Sequence, residues 1–249
     1  MLEARHLVKR FFGAAVVSDV SFDVRSGEVV GYLGPNGSGK STTAKMLTGL
    51  LETSSGAVFW DGHNIALDPI GFHRRLGFVP EEPNLYTFQS AIEYLELVGR
   101  LRELPPALLT RKIGALLELF GLSEAANQDI GSYSKGMKQK VMIIAALLHD
   151  PDVLILDEPT AGVDVELRRG MWDYLTNLSK GGLTILLTTH YLEEAEQLAK
   201  HVAIINKGEI VEQGTMAHVL EKHGSDEAKK EGYRGGRLEE VFLKLTSEK

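Results

Sequence analysis

The sequence predicts an α/β fold in which a parallel sheet carries an antiparallel flank. Apolar segments rich in β-branched residues, each leading to a polar residue, are typical of buried parallel strands, and they lie at residues 28–33, 153–156, 184–189 and 202–205. Helical patterns separate these segments, as in α/β domains. Two shorter alternating segments near Gly turns, at 20–24 and 57–60, predict the antiparallel flank.

The middle of the chain predicts a helical lobe, at about 90–150, inserted into the α/β core. Apolar residues recur there at helical spacing and are interrupted by Pro105 and Pro106. A further apolar stripe predicts one helix that begins near Ser134 and ends before Pro151, and it consists of Met137, Val141, Ile144 and Leu148.

The last third of the chain predicts a hairpin and a separate tail. Residues 206–208 read Asn-Lys-Gly and predict a turn between two strands. We therefore expect a domain at 1–222, followed by a charged tail at 223–249. Within the tail, the polar, Gly-rich stretch at 224–236 predicts a connector, and a short amphipathic helix is indicated by Leu238, Val241, Phe242 and Leu245.

Composition narrows the classes of function. The 249 residues suffice for a sizeable core. The net charge of −7 argues against nucleic acid as a partner, because proteins that bind nucleic acid usually present a basic surface. The absence of cysteine excludes a disulfide framework or a thiolate metal site. The longest stretch without a charged residue spans only 181–192, and residues 1–10 lack the apolar region of a secretory signal. We therefore expect a cytoplasmic protein.

Residues 34–41 match the phosphate-binding pattern G-x-x-x-x-G-K-[ST]. The match follows a predicted strand and precedes a helix predicted at 42–50, as the mechanism of a P-loop requires. Its glycines let backbone N–H groups surround phosphates, Lys40 reaches the outer phosphates, and Ser41 can bind Mg²⁺. The predicted ATP-binding residues here are Gly34, Pro35, Asn36, Gly37, Ser38, Gly39, Lys40, Ser41 and Thr42.

A second apolar segment, at 153–156, leads directly to two carboxylates. Asp157 suits the role of holding Mg²⁺ through water, and Glu158 is placed to polarise an attacking water. Together with the phosphate-binding loop, this pair predicts a P-loop nucleoside triphosphatase. The guanine-reading pattern N-K-x-D is approached only at 206–209, where its Asp is missing, so a GTPase is disfavoured.

Further segments give the chain a resemblance to the ATP-binding cassette (ABC) proteins over about 2–214. Residues 133–139, Tyr-Ser-Lys-Gly-Met-Lys-Gln, look like a variant of the LSGGQ signature of that family. Four more family features are matched, namely the D-loop at Ala161–Asp164, the switch histidine at His190, the Q-loop at Val79–Glu81 and the adenine-stacking aromatic at Phe11.

The resemblance implies a head-to-tail dimer that encloses two ATP molecules with Mg²⁺. The signature residues of one subunit would contact the ATP held by the other, and here they are Ser134, Lys135, Gly136 and Met137. The D-loop residue would be Asp164, and His190 would link the γ-phosphate to Glu158 and the attacking water. The second subunit could be identical or different.

This chain departs from the family pattern at several positions. Glu81 replaces the usual Gln, so the oxygen that would reach Mg²⁺ carries a charge; Gln89 is a weaker substitute. Lys135 either contacts phosphate or is solvated, and we favour solvation. Phe11 can stack on adenine without offering a hydroxyl, and Phe12 is the alternative if the register differs.

The resemblance also implies a partner in the membrane. The stretch at 84–88, with Leu85, Tyr86 and Phe88, would form the groove that receives a coupling helix from a separate transmembrane permease, unless these side chains fill the lobe's own core. Glu81 and the segments at 164–169, 191–195 and 238–242 are similar to the ABC-2-type exporter branch. The chain would then lie on the cytoplasmic face of the membrane.

Two classes of function follow. The first is the ATP-hydrolysing subunit of an exporter. The second is a soluble cassette ATPase that acts on nucleic acid or ribosomes; such proteins usually carry two cassettes or a long coiled coil, and this sequence contains neither. A catalytically silent cassette is disfavoured by the presence of Lys40, Asp157, Glu158 and His190.

Overall fold

The structure is a computed structural model that describes residues 1–161, 163, 165–224 and 237–247, with no side-chain description at 165–167. Its strands are β1 (Leu2–Phe11), β2 (Ala14–Val24), β3 (Val29–Leu33), β4 (Ser55–Trp60), β5 (His63–Asn64), β6 (Leu76–Val79), β7 (Val153–Asp157), β8 (Thr184–Thr189), β9 (His201–Asn206) and β10 (Glu209–Thr215). Its helices are α1 (Lys40–Leu47), α2 (Pro69–Arg75), α3 (Ala91–Leu101), α4 (Pro106–Leu119), α5 (Lys135–Leu147), α6 (Val165–Lys180), α7 (Leu192–Leu198), α8 (Met216–His223) and α9 (Arg237–Ser247).

The central sheet has six strands in the order β10-β9-β3-β8-β7-β6. Its strands from β9 to β6 are parallel, and β10 pairs antiparallel at one edge. All residues of β3, β7 and β8 are buried, which explains their continuous apolar sequences. The predicted α/β fold is thus confirmed.

Two apolar cores lie on the two faces of this sheet. In β3, Val29 and Leu33 belong to the core shared with α5 and the helical lobe. The alternate residues Val30 and Tyr32 belong to the core shared with α1 and the second sheet. Because side chains alternate along β3, successive residues of this strand contribute to the two different cores.

The second sheet is antiparallel, with the order β2-β1-β4-β5. It confirms the predicted flank, although β2 and β4 are longer than the alternating segments at 20–24 and 57–60. The sequence did not indicate β1, because its pairing with β2 shifts register near His6, whose φ is +51°. Such irregularities break the simple alternation by which strands are recognised.

Helices α3, α4 and α5 lie between β6 and β7 in the chain, with short 3₁₀ turns at Ser123–Ala125 and Ile130–Ser132. Ser90 and Glu93 form a capping box at the start of α3. Pro105 is the N-cap residue of α4, and Pro106 is its first helical residue. The two prolines that interrupt the apolar pattern therefore mark the start of a new helix. The fifth parallel strand, β6, was not predicted, because its Leu-Gly-Phe-Val sequence is too short to be distinctive.

Other boundaries differ slightly from the prediction. The helix expected at 42–50 is α1, which begins two residues earlier and ends at Leu47, because Gly49 takes a left-handed conformation with φ of +74°. The hairpin turn at 206–208 is confirmed between β9 and β10.

The C-terminal helix is present as α9, in which Leu238 and Val241 are buried. The predicted connector lies almost entirely outside the described residues, and the domain division at residue 222 stays a prediction. None of the helices in the described ranges has the length and apolar character of a membrane span.

Candidate functional site

The predicted site residues meet at one edge of the parallel sheet. Strands β3, β8 and β7 are neighbours in that order, and their carboxyl ends lie side by side. Residues that follow these strands, Gly34, His190 and Glu158, are therefore brought to the same edge. This is the edge at which open α/β sheets bind their ligands.

The phosphate-binding loop is held from both sides. A Cβ atom on Gly34 would lie 2.4 Å from Oγ of Ser38 and 2.5 Å from the carbonyl oxygen of Ile205, so only glycine fits there. Behind the loop, the carbonyl oxygen of Ser38 accepts a 3.0 Å hydrogen bond from the backbone N–H of Gly208. The loop and the hairpin turn thus support one another.

The loop fits an anionic ligand. Gly39 precedes α1 without a side-chain cap, so the first N–H groups of the helix face outward at its positive end. Oγ of Ser38 is buried with no hydrogen-bond partner within the described residues, which leaves a donor in the loop. Lys40 lies beside the loop, where its ammonium donates to the carbonyl oxygens of Gly34 and Pro35 at 2.8 and 3.3 Å.

Ser41 and Asp157 form a pair of oxygen donors. Oγ of Ser41 donates to Oδ1 of Asp157 at 3.2 Å, and the Thr188 hydroxyl donates to the same carboxylate oxygen. Burial raises the pKa of Asp157; the hydrogen bonds from Thr188 and Ser41 offset part of the effect, and the charge of Glu158 adds to it. A hydroxyl beside a buried carboxylate is a donor set that suits Mg²⁺, whose charge would stabilise the ionised form.

Both carboxylate oxygens of Glu158 contact other predicted site residues. Oε1 lies 3.3 Å from the Lys40 ammonium, and Oε2 lies 2.8 Å from Nδ1 of His190. The backbone N–H of His190 also donates to Oε2 at 3.3 Å. The backbone of Glu158 has φ of +51°, and its N–H donates to the carbonyl oxygen of Thr188 at 2.9 Å. An unusual φ at a buried carboxylate is typical of functional sites.

His190 is oriented by residues on both sides. Its Nδ1 lies against Glu158, and 37% of its side chain is exposed, so the ring is buried on one side and accessible on the other. Its ring packs on that of Tyr191, with 4.1 Å between ring centroids. The guanidinium of Arg168 lies 4.7 Å from the Tyr191 ring. Tyr191 and Arg168 lie in the segments at 191–195 and 164–169 that are similar to the exporter branch, but no motif predicts a role for either side chain in the site.

Phe11 is the last residue of β1, at the turn into β2, and 40% of it is exposed. The Lys9 ammonium lies 5.2 Å from the centroid of its ring. Phe12 is fully exposed, with φ of +49°. Strand β2 borders the phosphate-binding loop, since a Cβ on Gly39 would lie 2.9 Å from the carbonyl oxygen of Val16. An exposed aromatic pair therefore stands on the hairpin beside the loop.

The signature residues lie at the start of α5. Ser134 is the N-cap, and its Oγ accepts a 3.2 Å hydrogen bond from the N–H of Met137, while its own hydroxyl proton remains available. Gly136 is buried, Lys135 is exposed, and the Met137 side chain packs against the core. No hydrogen bond among the described residues joins these four to the phosphate-binding loop.

Two other predicted residues are not brought into the site by described contacts. Glu81 is exposed, and none of the described hydrogen bonds or ion pairs joins it to Ser41 or Asp157. Its role as a metal ligand stays a prediction. Asp164, the predicted D-loop residue, lies outside the described residues. The weaker substitute, Gln89, has its Oε1 buried without a hydrogen-bond partner in the described part of the chain.

The apolar stretch after Glu81 divides between core and surface. Leu85 packs against the main core, as the alternative interpretation held for at least one of these side chains. Tyr86 and Phe88 are 53% and 78% exposed, with 6.2 Å between their ring centroids. Tyr94 of α3 contacts Tyr86 edge-on and also lines a neighbouring cavity of about 380 Å³. The exposed pair is therefore connected to this cavity through Tyr94, and neither Tyr86 nor Phe88 lines it.

Comparison with known proteins agrees with this geometry. A family model described as "ABC transporter" matches residues 17–161. The chain is 36% identical over 226 residues to the linearmycin resistance ATP-binding protein LnrL of Bacillus subtilis (strain 168), covering 91% of this chain and 73% of that protein. It is 36% identical over 225 residues to the daunorubicin/doxorubicin resistance ATP-binding protein DrrA of Streptomyces peucetius, covering 90% and 68%.

A third relative is the Nod factor export ATP-binding protein I of Cupriavidus pinatubonensis (strain JMP 134 / LMG 1197), 39% identical over 214 residues, with coverage of 86% and 66%. Among solved structures, one described as the ATP binding subunit of an ABC transporter is 33% identical, with a TM-score of 0.86 and coverage of 98% and 99%. A dimeric post-hydrolysis cassette bound to ADP and Pi has the same fold, at 23% identity and a TM-score of 0.80, with coverage of 87% and 99%.

Proposed function

We propose that this chain, which belongs to the ABC transporter family and is an ATP-binding and ATP-hydrolysing cassette, energises export through a separate membrane subunit. Export is supported by the relatives, two of which are named for drug or antibiotic resistance and one for Nod factor export. The chain spans 73%, 68% and 66% of those relatives. We assign no cargo.

The observation that carries the proposal is the double contact of Glu158. One oxygen lies against Lys40 of the phosphate-binding loop, and the other lies against His190, which follows a neighbouring strand. A single buried carboxylate thus connects the group that would bind the outer phosphates to the group that would sense them. Such an arrangement suits a reaction whose attacking water must be activated only when phosphate is present.

Each residue of the predicted site has a distinct role in the proposed reaction. Lys40 and the N–H groups of the loop bind the phosphates, and Phe11 stacks on the adenine. Ser41 and Asp157 hold Mg²⁺, which supplies positive charge to the phosphate oxygens. Glu81 adds a further oxygen on the Mg²⁺ side. Glu158 accepts the proton of the attacking water, for which its position at the edge of the sheet is suitable.

His190 would bridge Glu158 and the outermost phosphate. Its Nδ1 already contacts Oε2 of Glu158, so Nε2 is the nitrogen left for a phosphate oxygen. Both contacts are to acceptors, so a ring that makes them together carries a hydrogen on each nitrogen. His190 would therefore act as a cation when it contacts phosphate, which stabilises the charge that develops during transfer.

The signature residues are proposed to complete the site of a second ATPase subunit. Ser134 keeps its hydroxyl proton available while its oxygen caps α5, so it can donate to a phosphate at a helix N-terminus. Gly136 leaves room for close approach, Met137 secures the helix on the core, and Lys135 remains solvated. Asp164 is proposed to contribute at the same interface. A solved cassette of the same fold is described as dimeric, which is consistent with a second ATPase subunit.

The groove at Tyr86 and Phe88 is proposed to receive the transmembrane permease. Two exposed aromatic rings beside an apolar cavity are typical of a protein-binding surface. Leu85 anchors this stretch to the core and would transmit movement between nucleotide and permease. The chain would act at the cytoplasmic face of the membrane, as a peripheral subunit.

The proposal is tested by replacing Glu158 with Gln. We expect the kcat of ATP hydrolysis to fall by about 10²- to 10⁴-fold, as for the loss of a general base, with MgATP affinity retained. Phosphate release measures the first and nucleotide titration the second. The control is Glu193→Gln, an exposed carboxylate of α7. Unchanged turnover in Glu158→Gln would overturn the assignment.

A further inference from the structure

One arginine contacts the segments that follow Glu158 and His190, the proposed catalytic pair. Arg168 lies in the first turn of α6. Nη2 of its guanidinium donates a 3.3 Å hydrogen bond to the carbonyl oxygen of Val163, which follows Glu158 by five residues. The same guanidinium lies 4.7 Å from the ring centroid of Tyr191, the residue directly after His190. A single side chain thus connects the two segments.

The Val163 end of this connection is fixed relative to Glu158. The N–H of Ala161 donates to the carbonyl oxygen of Glu158 at 3.1 Å, and the N–H of Val163 donates to the carbonyl oxygen of Thr160 at 3.0 Å. These two hydrogen bonds close overlapping backbone turns, and only 5% of Val163 is exposed. The Arg168 guanidinium is therefore attached to a short, folded segment that begins at Glu158.

The Tyr191 end is fixed by its backbone. The N–H of Tyr191 donates to Oγ1 of Thr189 at 3.0 Å, and its carbonyl oxygen accepts hydrogen bonds from the N–H groups of Glu194 and Ala195 in α7. The Tyr191 ring packs on that of His190, with 4.1 Å between the ring centroids. Because the backbone of Tyr191 is held on both sides, the position of its ring restricts rotation of the neighbouring imidazole.

The chemistry of Arg168 suits this position. A guanidinium is always charged, and a cation close to an aromatic ring is attracted by the quadrupole of that ring. Nε of Arg168 is buried and has no hydrogen-bond partner in the described part of the chain. A buried donor without a partner lowers stability. This incomplete hydrogen bonding favours a role for Arg168 in placing its neighbours over a role in stability alone.

We propose that Arg168, acting through the Tyr191 ring, is a positioning residue that holds the imidazole of His190 against Glu158. The inference rests on the proposed roles of His190 and Glu158. Their 2.8 Å contact, between Nδ1 and Oε2, needs one orientation of the imidazole, and the packed Tyr191 ring maintains it. Neither Arg168 nor Tyr191 is assigned a contact with the nucleotide. Loss of either side chain should therefore slow the chemical step and leave ATP binding unchanged.

A purely structural role makes a different prediction. A single contact between a cation and a ring contributes little to stability when it is partly exposed. Arg168→Met would then lower the melting temperature slightly and leave the activity of the folded protein unchanged. A positioning role predicts instead a folded protein with a lower kcat at unchanged KM for ATP. Thermal unfolding and ATP hydrolysis, measured on the same samples, separate the two roles.

The test compares variants of the full chain in steady-state ATP hydrolysis. Arg168→Met keeps an apolar chain of similar course and removes the charge and the donors. We expect this variant to lower kcat roughly tenfold at unchanged KM, within the range that a misplacement of about 1 Å can cost. The matched control is Arg169→Met, the same change at the next residue, whose side chain is exposed; it should keep the wild-type kcat.

Two substitutions of Tyr191 test the ring itself. Tyr191→Leu removes the ring and should lower kcat about as much as Arg168→Met. Tyr191→Phe keeps the ring and its contacts with Arg168 and His190, so it should retain about half or more of the activity. Arg168→Met combined with Tyr191→Leu should be about as slow as either variant alone, because both interrupt the same series of contacts.

Several outcomes would overturn the inference. These are a wild-type kcat in Arg168→Met, an equal loss in Tyr191→Leu and Tyr191→Phe, a rise in KM that accounts for the effect, or losses that multiply in the double variant. If Arg168→Met does not fold, the comparison of Tyr191→Leu with Tyr191→Phe decides. A lower kcat at unchanged KM in Tyr191→Leu alone supports the inference, and equal values in the two variants overturn it.

Glu158→Gln in the same series distinguishes failure of the positioning role from failure of the proposed function. If Glu158→Gln is inactive and Arg168→Met is normal, only the role of Arg168 fails. If Glu158→Gln is fully active, the proposed catalytic pair fails, and the inference fails with it.

Discussion

The Lys40 ammonium lies 3.3 Å from Oε1 of Glu158, with 6% and 4% of the two side chains exposed. Each charge is thus neutralised by the other at a position that excludes water. Lys40 also donates to the carbonyl oxygen of Gly34 at 2.8 Å. The group proposed to bind the outer phosphates and the group proposed to activate water therefore depend on each other for their solvation.

This buried ion pair should be visible in the stability of the protein. Lys40→Met removes the cationic partner of the buried Glu158 carboxylate. We therefore expect the free energy of unfolding to fall by about 3–5 kcal/mol. Adding Glu158→Gln to Lys40→Met should recover part of this loss. Urea unfolding without nucleotide measures both effects, and Lys45→Met, an exposed lysine of α1, is the control. Strictly additive effects would exclude coupling between the two residues.

Glu81→Gln tests the charged substitution in the Q-loop. An amide retains an oxygen for Mg²⁺ and removes one negative charge near the phosphates, so we expect ATP hydrolysis to be equal or faster. Phosphate release at saturating MgATP measures this. Glu82→Gln, also exposed, controls for a general effect of charge. Complete loss of activity in Glu81→Gln would contradict a role limited to Mg²⁺ binding.

His149 should make the folded protein sensitive to acid. The pKa of His149 is lowered to about 4, mainly by burial and also by the charges of Arg102 and Lys112, while a hydrogen bond to the Leu76 carbonyl and the Asp150 charge offset part of the effect. Nε2 lies 3.0 Å from that carbonyl oxygen, whereas Nδ1 is buried without a partner within the described residues. Protonation would place an unsatisfied N–H in the interior.

The lowered pKa of His149 makes the folded protein less stable as the pH falls. The unfolded chain binds the proton near the ordinary histidine pKa of 6.5, whereas the folded chain binds it only near pH 4. Stability from neutral His149 is present above about pH 6.5 and is lost as the pH falls towards 4. His149→Gln should flatten the pH dependence of the urea midpoint over this interval. His63→Gln, at an exposed histidine, should leave the dependence unchanged.

Tyr86 and Phe88 should matter for association with the permease and not for the isolated ATPase. Their rings are exposed and form no part of the nucleotide site, so Tyr86→Ala combined with Phe88→Ala should leave basal hydrolysis unchanged. Co-purification with the membrane subunit should be lost. Leu119→Ala, which changes a 61% exposed apolar residue of α4, is the control. Normal co-purification of the double variant would mean that the permease docks at another surface.

Local motifs carried most of the prediction of the site. The phosphate-binding loop is continuous in sequence, and its spacing alone identifies it. Asp157 ends one parallel strand, Glu158 and His190 follow two neighbouring strands, and the resemblance to the ABC proteins implied that His190 meets Glu158. The structure adds the atoms in contact, such as Nδ1 of His190 against Glu158.

Contacts between distant residues without a motif could not be predicted. The Lys40–Glu158 pair depends on side-chain directions across two strands, and Glu194 reads as an ordinary helical glutamate until its burial is known. Strand β1 was missed because local register shifts hide its alternation. Glu81 shows a further limit of motifs. A sequence match identifies the residue, but it does not show how far its carboxylate lies from a bound metal ion.

The hydrogen bond between Ser38 and Gly208 has a consequence for how ATP binding can produce work. Gly208 also accepts, through its carbonyl oxygen, a 2.8 Å hydrogen bond from the N–H of Ser18 in the antiparallel sheet. The phosphate-binding loop is therefore preorganised by supports from both sheets. Little of the free energy of nucleotide binding is then used to order the loop. That free energy remains available to move the groups on the opposite side of the nucleotide.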